Sequence, residues 1–253
     1  MPIPNRTSRP RVKGVTMVID KGIGISQARD IVQTAGDYID IVKLSFGTSR
    51  LMAESLVRRK IALYKKNRID VMPGGTLLEV AVVQRSTDKF LRYAKRLGFS
   101  ALEVSDGTIS FGEDVRYDLV TRAAGLGLKV FAEVGKKHKE EDLSAEGYAE
   151  RIRRDLEKGV FLAIVEAREA GREVGVYDEK GDVRESRLDE IVKGVDVDRL
   201  MFEAPEKKQQ TYFILRYGAN VNLGNVAPTD VIACEALRCG LRADTLREAY
   251  PNP

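Results

Sequence analysis

The sequence has little of what disulfide-rich and zinc-binding proteins contain. Its 253 residues include two cysteines, one histidine and no tryptophan. Cys234 and Cys239 are five residues apart on a predicted helix, about 140° around its axis, which suits neither a disulfide nor a pair of metal ligands. We therefore expect two reduced thiols in a cytoplasmic protein.

Long apolar runs and an excess of one charge are also missing. Residues 1–14 lack the apolar segment of a signal peptide, and no run approaches the roughly 18 apolar residues of a membrane span. The 42 basic and 38 acidic residues give a net charge of +4, without a basic block interleaved with aromatic residues. We expect neither a membrane nor a nucleic acid as a partner, whereas a local pocket for an anionic substrate is compatible with this balance.

Eight short apolar runs alternate with stretches that have helical patterning. The runs are residues 15–20, 39–45, 69–74, 101–105, 129–135, 161–168, 199–205 and 220–224. Eight strands that alternate with helices predict an α/β protein that folds as a single (β/α)₈ TIM barrel over residues 1–253. Within this range, residues 1–14 form an N-terminal extension and residues 241–253 a C-terminal tail. The active site of such a barrel lies at the C-terminal ends of its strands.

Charged residues occur near the C-terminal ends of most of these runs. Because side chains alternate along a strand, parity predicts which of them face the barrel interior. The predicted inward set is Asp20, Lys43, Glu103, Glu133, Glu166, Arg168, Glu203 and Asn222. Carboxylates outnumber cations in this set, so they need a counter-charge, and oxygen donors without histidine or cysteine favour Mg²⁺. The alternative is a buried ion-pair network that only stabilises the barrel.

Three further segments predict contacts with an anion or a proton-transfer role. Gly74 and Gly75, followed by Thr76, allow backbone N–H groups to approach an anion, although a tight strand-to-helix turn has the same composition. Gly224 and Asn225 follow strand eight, where barrels often bind phosphate. Lys136 and Lys137 follow strand five and are either proton-transfer groups or solvated loop lysines. The glycine-rich loop at 169–186 is a candidate lid.

Together these motifs resemble the phosphosulfolactate synthase family. The resemblance extends in order from about Arg9 to Thr245, which makes it more specific than any single motif. The motifs are Asp20-Lys-Gly, Tyr38-Ile-Asp-Ile-Val-Lys, Gly47-Thr-Ser, Pro73-Gly-Gly-Thr-Leu, Glu103-Val-Ser-Asp-Gly-Thr, Glu133-Val-Gly-Lys-Lys, Glu166-Ala-Arg-Glu-Ala-Gly, Phe202-Glu-Ala-Pro, Val221-Asn-Leu-Gly-Asn and Gly240-Leu-Arg-Ala-Asp-Thr.

The resemblance implies a Mg²⁺-dependent lyase that adds sulfite to C3 of phosphoenolpyruvate. The product is (2R)-phospho-3-sulfolactate, and its formation is an early step towards coenzyme M. The reaction passes through an enediolate, which a lysine protonates at C2. We expect Glu103, Glu133 and Glu166 to bind Mg²⁺, with Asp20 and Glu203 as second choices. Lys137 is the preferred proton donor and Lys43 the alternative. The expected substrate contacts are Arg168, Gly74, Gly75, Thr76, Lys136, Asn222, Gly224 and Asn225.

Two other functions fit the same barrel. One is a Schiff-base aldolase with Lys43 as the nucleophile, against which the surplus of carboxylates argues. The other is a non-catalytic relative of plant heat-stress proteins, against which the complete set of inward charges argues. Outward apolar residues on the helices also allow assembly into a homo-oligomer.

Overall fold

Eight parallel strands form a nearly closed barrel. The computed structural model describes residues 6–136, 143–167 and 170–250. The strands are β1 (Thr16–Asp20), β2 (Ile41–Leu44), β3 (Asp70–Pro73), β4 (Ala101–Val104), β5 (Lys129–Val134), β6 (Leu162–Val165), β7 (Leu200–Glu203) and β8 (Asn222–Val226). They pair in the order β3-β2-β1-β8-β7-β6-β5-β4, and the Ser100 N–H donates to the Val71 carbonyl at 3.1 Å where β3 adjoins β4. The predicted (β/α)₈ barrel is confirmed.

Helices surround the strands. Those in the described residues are α1 (Ile25–Ala35), α2 (Thr48–Leu51), α3 (Glu54–Lys66), α4 (Gly75–Val83), α5 (Thr87–Leu97), α6 (Glu113–Gly125), α7 (Ala145–Glu157), α8 (Glu185–Val192), α9 (Lys207–Tyr217), α10 (Val231–Arg238) and α11 (Ala243–Ala249). The Ser144 hydroxyl caps α7 by accepting the Gly147 N–H at 3.1 Å. Extended backbone at Met52 separates α2 from α3. The predicted tail contains α11.

Apolar side chains fill both faces of the sheet, as expected for parallel strands covered by helices. Met17, Met72, Phe131 and Met201 belong to the cluster that fills the barrel interior. A larger cluster lies between the strands and the helices. The interior cluster closes the barrel below its mouth, so in the described part of the chain a ligand would enter at the C-terminal ends of the strands.

An irregularity in β8 changes what that strand presents at the mouth. Thr16 pairs with Leu223 and Val18 pairs with Val226, so β8 has one more residue than β1 over this stretch. The extra residue accompanies the left-handed backbone of Asn225, whose φ is 54°. A bulge of this kind turns a side chain away from the strand's regular alternation.

Two expectations from composition are met in the described residues. Cys234 and Cys239 are buried free thiols. No helix among these residues has both the length and the apolar character to cross a membrane.

Candidate active site

A cavity of about 270 Å³ opens at the C-terminal ends of the strands. Each of the eight strands contributes, either through its C-terminal end or through the loop that follows it. The lining residues are Ile19, Lys43, Ser45, Phe46, Gly74, Gly75, Thr76, Glu103, Glu133, Glu166, Glu203 and Asn225. Most of the residues predicted for the site therefore lie in one cavity.

Three glutamates from neighbouring strands converge in this cavity. Glu133 is in β5, Glu166 follows β6 and Glu203 ends β7. One carboxylate oxygen from each lies within 4.8 Å of the other two, and all three residues are buried. Three buried carboxylates at this spacing are suited to one hard divalent cation.

Lys43 lies against this group. Its Nζ is 2.8 Å from Glu203 Oε1 and 3.1 Å from Glu103 Oε2. Burial alone would lower the pKa of the Lys43 ammonium, but the carboxylates of Glu103, Glu203 and Glu133 raise the pKa well above its ordinary value. Lys43 is therefore charged at neutral pH, and it offsets part of the negative charge in the cavity.

Glu103 is held apart from the other three glutamates. The Gly75 N–H donates to Glu103 Oε1 at 2.8 Å, and Oε2 faces Lys43. A Cβ at position 75 would lie 2.7 Å from Glu103 Oε1, so only glycine permits this approach. The backbone N–H that we predicted to meet a ligand anion at Gly75 thus binds a carboxylate of the protein itself.

Glu79 and Ser105 are two site residues that our sequence reasoning missed. Ser105 Oγ is 2.7 Å from Glu133 Oε1 and 3.0 Å from Glu79 Oε1. The other Glu79 oxygen accepts the backbone N–H groups of Thr108 and Ile109 at 3.1 and 3.0 Å. Glu79 therefore connects α4 to the loop after β4 and, through Ser105, to Glu133. A glutamate within the apolar stretch of α4 was the signal that could have revealed it.

The prediction that Asp20 faces the mouth is wrong. Asp20 Oδ2 is 2.6 Å from Lys60 Nζ in α3 and accepts the Tyr64 hydroxyl at 3.2 Å. Asp20 points outward because Met17 and Ile19, the opposite parity set, occupy the barrel interior and the cavity wall. Its carboxylate also accepts the N–H groups of Gly22 and Ile23, so it fixes the loop after β1.

The predictions that Asn222 and Gly224 contact the substrate are also wrong. Asn222 Oδ1 accepts the Val15 N–H at 2.9 Å, and Nδ2 donates to the Leu200 carbonyl at 2.7 Å, at the end of the barrel opposite the mouth. A Cβ at Gly224 would lie 2.8 Å from Met17 Cε, so Gly224 packs inside the barrel. Asn225 does line the cavity.

The basic residues predicted after β5 and β6 fall into two groups, one inside and one outside the described residues. Lys136 Nζ donates to the Asp106 carbonyl at 2.6 Å and to Ser110 Oγ at 3.0 Å, on the loop after β4. This position is outside the residues that line the cavity. Lys137 and Arg168 lie outside the described residues, so their roles stay predictions.

The described part of the predicted lid, from residue 170 onward, is packed against the barrel. Tyr177 is fully buried, and its hydroxyl donates to the Glu203 carbonyl at 2.5 Å. The Gln209 amide in α9 donates to the carbonyls of Gly171 and Gly181. This segment supports the backbone of Glu203 from outside the cavity.

The barrel and its acid-lined cavity define a TIM-barrel enzyme. Residues 4–244 match the family model of (2R)-phospho-3-sulfolactate synthase (ComA), and the chain belongs to the phosphosulfolactate synthase family. It is similar to the phosphosulfolactate synthases of Methanocaldococcus jannaschii, at 42% identity over 92% of this chain and 94% of that one, and Methanothermobacter thermautotrophicus, at 40% identity over 96% and 95%.

The chain is also similar, at a greater distance, to the plant protein HEAT-STRESS-ASSOCIATED 32 of Arabidopsis thaliana. That similarity is 24% identity and covers 92% of this chain and 88% of the plant protein. The higher identity to the synthases agrees with membership of the enzyme family.

Proposed function

We propose that the protein catalyses the Mg²⁺-dependent addition of sulfite to C3 of phosphoenolpyruvate, which gives (2R)-phospho-3-sulfolactate. The observation that carries the proposal is the convergence of Glu133, Glu166 and Glu203 beside Lys43, in a chain 40–42% identical to two phosphosulfolactate synthases. Such a reaction is a step towards coenzyme M.

The donor set fits magnesium. Glu133, Glu166 and Glu203 provide buried carboxylate oxygens within 4.8 Å of one another, and Mg²⁺ prefers oxygen ligands of this kind. The geometry favours Glu203 over Glu103 as the third ligand, because the group of carboxylate oxygens within 4.8 Å of one another includes Glu203 and, among the described residues, leaves out Glu103. When bound, Mg²⁺ would supply positive charge where the substrate carboxylate becomes an enediolate.

In this scheme the chain's own residues stabilise the developing negative charge and supply a proton. The sulfur lone pair of sulfite forms the C3–S bond, and the electrons of the C2–C3 double bond move onto the carboxylate. Lys43, charged and fixed between Glu103 and Glu203, provides a preformed positive charge for that developing anion. A lysine then transfers a proton to C2. Lys137 is our preferred donor, because the raised pKa of Lys43 makes its ammonium a weaker acid.

The charge state of Lys43 argues against the aldolase alternative. A Schiff base forms from a neutral amine, and aldolases of that type lower the pKa of their lysine. The neighbouring glutamates raise the pKa of Lys43 instead. The structure therefore favours an electrostatic role for this lysine.

The test is an assay of the purified protein with phosphoenolpyruvate, sulfite and Mg²⁺, with the product followed by phosphorus NMR. We expect loss of phosphoenolpyruvate that requires sulfite and stops when EDTA is added. Loss that continues without sulfite, or at an undiminished rate in EDTA, would contradict the proposal.

A further inference from the structure

An aromatic residue with left-handed backbone lies at the edge of the cavity. Phe46 follows β2, lines the cavity and has 51% of its surface exposed. Its φ is 54°, a conformation that is costly for a bulky side chain and is usually occupied by glycine or asparagine. A single exposed aromatic residue is ordinary on a protein surface. One that also occupies an unfavourable backbone conformation beside a ligand cavity indicates a functional role.

The turn that contains Phe46 is fixed by backbone hydrogen bonds. The Ser45 carbonyl accepts the Thr48 N–H at 3.0 Å and the Thr48 hydroxyl at 2.7 Å, and the Ser45 N–H donates to the Asp20 carbonyl at 3.1 Å. Phe46 and Gly47, the two central residues, both have positive φ. This is the pattern of a type I′ turn, whose central positions favour glycine, asparagine and aspartate. Local turn chemistry therefore does not explain a phenylalanine at this position.

Phe46 supplies apolar surface in a cavity that is otherwise mainly polar. Among the described residues that line the cavity, only Ile19 and Phe46 have apolar side chains, and the others are charged, polar or glycine. The ring also connects two loops, since Lys21 Nζ, after β1, lies 5.9 Å from the Phe46 ring centroid. Lys43 and the glutamates attract the charged groups of a ligand and its cation. The apolar part of that ligand then faces Ile19 and Phe46.

We propose that the ring of Phe46 covers C3 of phosphoenolpyruvate and limits the substituents that C3 can carry, an inference that rests on the proposed function. The methylene group at C3 is the apolar end of this substrate, whose charge lies on the phosphate and the carboxylate. The ring lies against one face of this planar carbon, and sulfite attacks the other face. A smaller residue would relieve the turn but would open the covered face to water. Phe46 is thus a specificity-determining residue.

The test measures kcat/KM for phosphoenolpyruvate and for phosphoenolbutyrate, which has one extra methyl group on C3, at constant sulfite and Mg²⁺. Phe46→Ala removes the ring and keeps a side chain on the left-handed backbone, and Phe46→Gly also removes the strain. The control Arg85→Gly has a φ of 50° at an exposed position outside the cavity lining. Since a methyl group in an apolar pocket changes kcat/KM by about 10–200-fold, the preference for phosphoenolpyruvate should fall roughly tenfold or more in both Phe46 variants. It should stay unchanged in Arg85→Gly.

Each other outcome has a separate meaning. An unchanged preference in both Phe46 variants overturns the inference, even where the rate falls, because the ring would then support the loop without contacting C3. Phe46→Gly should melt at a higher temperature than Phe46→Ala, since glycine adopts positive φ without steric cost. Circular dichroism measures both, and equal melting temperatures would contradict the strained turn on which the inference depends. A wild-type protein without sulfite-dependent turnover would instead contradict the proposed function itself.

Discussion

Two buried ionic groups lie on opposite sides of the barrel wall, and they differ in charge balance. Outside the barrel, Asp20 and Lys60 form a matched pair with a separation of 2.6 Å, and both side chains are fully buried. Inside the mouth, Lys43 faces four glutamates: Glu103, Glu133, Glu166 and Glu203. A matched pair is complete without a ligand. The group at the mouth, called unmatched because its carboxylates outnumber its cations among the described residues, can take another cation.

A third buried group supports the same distinction. Arg116 is fully buried, with Nε and Nη2 donating to Asp155 at 2.9 and 2.7 Å and Nη1 donating to Asp106 at 2.9 Å. Lys136 and Arg151 also pair with Asp106. Cations here match or exceed the acids, and this group fixes the helices on the outer face of the barrel. Over the part of the chain that the structure describes, surplus negative charge therefore distinguishes the candidate active site from the structural ion pairs.

The largest expected effect comes from breaking the matched pair outside the barrel. Lys60→Met leaves Asp20 buried without its cation, so we expect the free energy of unfolding to fall by about 3–5 kcal/mol, as for other broken buried pairs. Urea denaturation measures this loss. The double variant Asp20→Asn/Lys60→Met should recover part of it, and a loss under about 1 kcal/mol in Lys60→Met would contradict a structural role for the pair.

A smaller effect should come from completing the unmatched group with Mg²⁺. At a Mg²⁺ concentration of 100 times Kd, binding should raise the free energy of unfolding by about 2.7 kcal/mol. Thermal melts with and without Mg²⁺ measure this as a rise in Tm. Glu166→Gln should abolish the rise, and the exposed control Glu157→Gln should keep it. An equal rise in Glu166→Gln would show that the ion binds elsewhere.

The connection between Glu79 and Glu133 should have a more modest effect. Ser105 has one hydroxyl hydrogen and contacts the carboxylates of both Glu79 and Glu133. Glu79 therefore influences whether Ser105 donates its hydrogen bond to Glu133. Glu79→Gln and Ser105→Ala should each weaken Mg²⁺ binding about tenfold, as residues that orient metal ligands do. Calorimetric titration measures the affinities. The double variant should be no worse than either single variant, and additive losses would mean that the two residues act independently.

The smallest effect, and one of opposite sign, is expected when the unmatched group loses one charge. In EDTA, Glu166→Gln should leave the free energy of unfolding unchanged or raise it by about 1 kcal/mol, because repulsion among the glutamates decreases. Urea denaturation in EDTA is again the measurement. A fall of more than about 2 kcal/mol would show that Glu166 is part of a structural ion pair.

Sequence reasoning located the acidic residues of β5, β6 and β7 because each of these strands has one parity set that is wholly apolar. It failed at Asp20 because β1 also has one wholly apolar set, Val15, Met17 and Ile19, but there the apolar set faces the barrel interior. Only packing decides which set faces inward. The cation that neutralises Asp20 lies in α3, a partner that alternation within one strand cannot reveal.

Other parts of the site depend on position along the barrel axis, which alternation leaves undefined. Asn222 pairs with Met201, two residues below Glu203, so its correct inward parity still places it at the wrong end. The bulge that turns Asn225 into the cavity follows from pairing between β8 and β1. The close approach of Gly75 to Glu103 likewise requires the tertiary structure.

The central claim is that the surplus of negative charge inside the mouth is a site for one divalent cation. Titration with Mn²⁺, followed by electron paramagnetic resonance, tests it directly in the wild type and in the double variant Glu133→Gln/Glu166→Gln. We expect one tightly bound Mn²⁺ per chain in the wild type, displaced by Mg²⁺, and none in the double variant. Binding of equal affinity in both proteins, or no binding in the wild type, would contradict it.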